Sequence, residues 1–135
     1  MLRVKIVYTL LISTLALMAC AGAQQEPLTL EQKLAEKNYQ LGEPVEKIYD
    51  YRLDGWNYLD REHVIMHTGP SGHYLVSLRN PCVNLLGAEV IAFTTTVGHL
   101  TRYDKLLVKD TTRVLERCYI ESLHKLEKIK TSQED

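Results

Sequence analysis

Apolar and polar positions alternate along most of the chain, and the clearest run is HVIMHTGPSGHYLVSL, residues 63–78. Two alternating segments flank TGPSG, which reads as a five-residue hairpin turn. With His67 opposite His73, Met66 faces Tyr74 and Val64 faces Val76, so these four share one face, expected to be the core. His63, His67, His73 and Ser77 then fall on the other face, with Ile65 and Leu75 between them. Upstream, VEKIYDYRLDGWNYLD is rich in Tyr and β-branched residues and reads as strand, with Gly55 interrupting the alternation as a bulge would. NPCVNLLGAE opens with a cap-like Asn80 and Pro81 at a first helical position, which predicts one or two helical turns ending near Gly87. VIAFTTT reads as a buried strand, and HLTRYDKLLVKD as a turn and strand, with Asp104 a turn residue. In RCYIESLHKLEKI the spacing of Ile120, Leu123 and Leu126 suits a helix, while the alternation of Tyr119, Glu121 and Leu123 suits a strand; a strand from Arg117 is expected.

Before Val45 the pattern is helical. TLEQKLAEKNYQLG, residues 29–42, has Thr29 as a cap with Gln32 three positions on, and Gly42 as a left-handed stop. Its apolar stripe of Leu30, Leu34, Leu41 and Ala35 is thin, which fits a surface helix packed on the domain or a stalk. The expected fold class is therefore α+β, mostly β: a small curved antiparallel sheet or partial barrel of five to six strands with a short helix. One domain spans 43–130, after a tether at 20–28 and the helix at 29–42, with a polar tail at 131–135.

The first residues read differently. Arg3 and Lys5 precede an apolar run from Ile6 to Met18 and then small residues, the layout of a secretory signal over 1–19. A retained membrane helix is the competing reading, but such a span needs about 20 apolar residues. Leu17-Met18-Ala19-Cys20 resembles the lipobox of bacterial lipoproteins, which implies acylation of the Cys20 thiol and cleavage before it. Ordinary cleavage after Ala21-Gly22-Ala23 is the alternative. Diacylation plus an amide-linked chain exceeds the one-chain limit for stable anchoring, and Ala21 after the cysteine resembles an outer-membrane sorting pattern.

Lipidation of Cys20 changes the cysteine count. The chain has three cysteines, so Cys82 and Cys118 remain, and two thiols in an oxidising compartment most often pair. Two buried free thiols are the other possibility. Charge changes less: 16 basic against 17 acidic side chains, a formal net charge of −1, with no basic stripe for nucleic acid and no polybasic patch for anionic lipid.

The series Trp56, Asp60, Tyr74-Leu75-Val76, Pro81-Cys82, Phe93, Asp104 and Cys118, with the lipobox, resembles DUF6491, a family of uncharacterised bacterial lipoproteins. The match carried by these residues covers roughly 42–127. The resemblance implies export, lipidation and a paired Cys82–Cys118; it carries no activity.

Candidate chemistry is sparse. His67 and His73 are weak candidates for a metal site, because zinc takes three or four ligands and His63 lies about 13 Å away along the strand; His99 is in another segment, and no metal is expected. Ser71 sits in a turn without a nucleophile elbow, and Asp54 and Asp60 read as strand-end charges. Trp56 and Tyr58 near Asp54 form a possible binding surface for a protein or glycan, although a lone Trp is more often core. The expectation is a non-enzymatic, cofactor-free binding or scaffolding module, anchored by its N-terminal lipid to the outer membrane and facing the periplasm, with an envelope protein or glycan as partner. The alternative is a soluble periplasmic or lipid-anchored metal-handling protein or enzyme that uses surface histidines.

Overall fold

In the computed structural model of the chain, described over residues 22, 25–49, 52–95 and 97–130, one short helix is followed by nine strands. Thr29 caps the helix α1 (Leu30–Glu36) in a full capping box with Gln32. The helix ends earlier than the expected 42, because Asn38 adopts a left-handed conformation (φ 63°) and the chain enters β1 (Tyr39–Val45) directly. Asn tolerates that conformation as a helix terminator. Gly42 is therefore not a helix stop: it lies in β1 at a register shift between Leu41 and Pro44. A Cβ there would stand 2.7 Å from the Lys125 carbonyl oxygen on the neighbouring strand.

The remaining strands are β2 (Lys47–Tyr49), β3 (Leu53–Asp60), β4 (His63–Thr68), β5 (Gly72–Leu78), β6 (Ala88–Phe93), β7 (His99–Thr101), β8 (Lys105–Asp110) and β9 (Leu115–Lys128). A 3-10 turn at Val83–Leu85 precedes β6, the short helical turn expected to end near Gly87. Six strands in the order β3-β4-β5-β9-β8-β6 curl into an antiparallel half-barrel. The fourteen-residue β9 is its spine, and it also pairs with β1. β2 and β7 form a separate two-stranded ribbon.

The hairpin register is the expected one, with His67 opposite His73, Met66 opposite Tyr74 and Val64 opposite Val76. Gly55 sits at a register shift in β3, as the bulge reading requires. Val64, Met66, Val76, Leu106, Val108, Ile120 and Leu123 are buried in one core, to which Ile48 and Leu100 of the β2–β7 ribbon also belong. Full burial of such side chains contributes roughly 1.5–3 kcal/mol each.

The second face of the hairpin is not left to solvent. Ile65, Leu75 and Leu126 are buried there beneath Leu34 of α1, with Leu30, Tyr39 and Leu59 packed around them. Lys33 Nζ reaches Asp60 Oδ2 at 2.7 Å and fastens the helix to the end of β3. The helix is part of the domain, not a stalk, and no boundary separates it from the sheet at 42.

Cys82 and Cys118 stand at disulfide distance, with Cα atoms 5.9 Å apart, inside the usual span for such a bond. Both are buried in the main core. The pair joins the segment after β5 to the first half of β9.

Candidate functional site

Two places on the domain collect polar side chains from segments distant in sequence. The first arises from the length of β9. Its second half, Leu123–Lys128, pairs with β1, and its first half, Leu115–Tyr119, pairs with β8. Among the described residues no strand pairs with residues 120–122 on that edge, so β1 and β8 part there like the arms of a fork.

A cleft of about 760 Å³ occupies this fork, a size that suits a small ligand or a side-chain-bearing loop. Val45 and Lys47 line one bank, Arg102 and Tyr103 the other, and Glu121 and Leu123 the base. Lys47 and Arg102 set positive charge on the two banks, and the exposed Glu121 carboxylate lies beside the apolar Val45 and Leu123. Tyr103 is 80% exposed, and the Arg102 guanidinium lies over its ring, 5.2 Å from the centroid. Asp104 holds the β7–β8 turn that presents them, accepting the Thr101 N–H at 2.8 Å and its hydroxyl at 3.0 Å. Asp104 is thus the turn residue expected of it.

The second place is the outer face of the hairpin. Asn57 Oδ1 lies 2.6 Å from His67 Nε2, His67 Nδ1 lies 2.9 Å from His73 Nδ1, and Tyr39 Oη lies 3.3 Å from the same His73 nitrogen. Burial, and then the Lys128 ammonium, hold His67 below the ordinary imidazole pKa. Burial, Lys128 and His67 do the same to His73. Burial pushes the Tyr39 phenol up.

The other candidates lie elsewhere on the domain. Trp56 and Tyr58 are half-buried against the main core, and Asp54 Oδ2 accepts the Gly69 N–H of the hairpin turn at 2.6 Å. His63 contacts Asp60 at 2.7 Å, away from the His67–His73 pair. Asp60 is held below the usual carboxylate range: burial acts upward, but hydrogen bonds from Lys33, the Glu62 amide and His63 outweigh it. Glu116 stands beside the two core cysteines, where its carboxylate accepts the Val83 and Asn84 amides at 3.0 and 2.7 Å and so secures the 3-10 turn. Cys20 and the lipobox lie outside the described residues.

Sequence reading did not find Lys47, Arg102, Tyr103 or Glu121, because the fork exists only once β9 has recruited two partners along one edge. It also passed over Tyr39, which the expected helix had absorbed.

Residues 3–135 match the model of a family of unknown function, DUF6491. The match extends beyond the residues that carried the resemblance, toward both ends of the chain. No curated protein and no solved structure matches the chain.

Proposed function

The chain belongs to the DUF6491 family, and from that premise we propose that it is a bacterial envelope lipoprotein whose sheet domain binds or scaffolds a periplasmic partner. The lipid on Cys20 fixes the location at the outer membrane, and the domain acts by display rather than by catalysis. What supports the anchoring is the Leu17-Met18-Ala19-Cys20 motif at the end of an apolar run. The observation that carries the binding role is the fork cleft, lined by exposed Arg102 and Tyr103 together with Lys47, Glu121 and the apolar Val45 and Leu123.

A concave site of mixed charge with an exposed aromatic suits an envelope protein or a glycan, since Tyr and Arg contribute heavily to interface energetics. The carboxylates weighed for acid–base chemistry are engaged otherwise: Asp54 with a turn amide, Asp60 with Lys33 and His63. The test is photo-crosslinking in the native envelope with a photoreactive residue at Tyr103. A discrete adduct from Tyr103, absent when the same residue replaces exposed Val90 on β6, supports the reading. Equal adducts from both positions, or none from Tyr103, overturn it.

A further inference from the structure

The outer face of the hairpin holds three donor atoms from β1, β4 and β5 that hydrogen-bond to one another. We propose that His67 Nδ1, His73 Nδ1 and Tyr39 Oη form a binding site for a divalent first-row transition ion, copper(II) above the others.

The tautomer argument comes first. A carbonyl oxygen only accepts, so Asn57 Oδ1 at 2.6 Å places the hydrogen of His67 on Nε2. A neutral imidazole protonated there offers a lone pair at Nδ1. That lone pair points at His73 Nδ1, 2.9 Å away, which Tyr39 Oη also approaches. In the metal-free chain the neutral His73 meets this lone pair by donating its Nδ1–H, and a metal ion that takes the place of that hydrogen, with His73 protonated at Nε2 instead, finds both Nδ1 lone pairs already facing each other. An outer hydrogen bond that fixes the tautomer and aims the ring is the usual support for a metal-bound histidine.

Geometry selects the ion. Two imidazole nitrogens bound at about 2.0–2.1 Å to one ion stand about 2.9 Å apart when cis on a square plane, and about 3.4 Å apart on a tetrahedron. The 2.9 Å hydrogen-bond distance equals the square-plane separation, so the rings need not part to take an ion of the geometry that copper(II) and nickel(II) favour and zinc does not. Affinity for nitrogen and oxygen donors also peaks at copper(II). The rings are only half-buried, so a fourth position is open to water or an outside ligand. Opposing the site is Lys128, which pairs with Tyr39 across β1 and β9; its stem is long enough to swing its charge away.

This site shares no residue with the fork cleft, so either can fail alone. The experiment is calorimetric titration of the chelator-stripped, detergent-solubilised full chain with copper(II) and with zinc(II) at neutral pH, with electron paramagnetic resonance on the copper form. The expected result is one copper(II) per chain in a tetragonal nitrogen environment, bound more tightly than zinc(II). His67→Ala and His73→Ala each lower copper affinity by at least about 100-fold, the upper end of what a lost outer-shell partner costs, and Asn57→Ala by about 10-fold. Tyr39→Phe removes any phenolate-to-copper absorption band, Lys128→Gln tightens binding, and His63→Ala and His99→Ala change nothing. Thermal unfolding of each variant reports folding, with His73→Gln as the substitute if His73→Ala fails to fold. Copper binding that survives the His67→Ala/His73→Ala double variant overturns the proposal. So does a wild-type chain that binds no stoichiometric copper, which would leave the two rings joined by their hydrogen bond alone.

Discussion

Lys33 Nζ lies 2.7 Å from Asp60 Oδ2, joining a helix near the start of the described chain to the end of β3, 27 residues on. The contact pins α1 across the outer face of the sheet, and it makes docking of the helix depend on pH. Asp60 titrates below its ordinary value in the folded state. Its stabilising effect is therefore complete above the unfolded carboxyl pKa of about 3.9 and is lost as pH falls through the lower folded value. Unfolding followed between pH 6 and pH 2 is expected to show stability falling across that window, with a shallower fall in Asp60→Asn. At neutral pH, Lys33→Ala is expected to cost no more than about 1 kcal/mol, because the pair is partly exposed.

Most of what holds α1 is apolar. Leu34 is fully buried against Ile65, Leu75 and Leu126, so Leu34→Ala is expected to cost about 2–4 kcal/mol in a denaturant titration. If α1 were a tether rather than part of the domain, the change would be near zero.

Gly42 is tied to a close approach. Its Cβ position faces the Lys125 carbonyl, a backbone atom that cannot swing aside. Gly42→Ala is expected to destabilise the β1–β9 pairing by about 1–3 kcal/mol, with amide exchange accelerated in β1 before the hairpin. An alanine that stabilised the chain would restore the helical reading of this segment.

Cys82 and Cys118 are 36 positions apart, and closing a loop of that length contributes about 4 kcal/mol in the chain-entropy account. Cys118→Ser is expected to lower the thermal midpoint by about 15–30 °C, measured by calorimetry on protein from an oxidising compartment.

How much of this was legible in the sequence depends on the range of the interactions. The β4–β5 register follows from a short turn and strict alternation, both local, and it was read correctly down to the His67–His73 pair. The end of α1 was not, because Leu41 continues the spacing of Leu30 and Leu34, while Asn38, the residue that breaks the helix, carries a weaker signal than Gly42. Ile65 and Leu75 looked like apolar residues on a solvent face, since alternation identifies two faces but not what covers the second. The fork cleft left no mark at all. Lys47, Arg102 and Glu121 belong to three separate segments, and only the pairing of β9 with both β1 and β8 brings them to one place.

The account rests most heavily on an exported, lipid-anchored and stapled chain, and the intact mass of the protein extracted from native membranes tests all three properties together. The predicted result is a chain beginning at Cys20 and carrying acyl chains, about 2 Da lighter before reduction than after, for the two hydrogens lost in one disulfide. An unacylated chain beginning at Gln24, or a mass unchanged by reduction with both thiols open to alkylation, would contradict it.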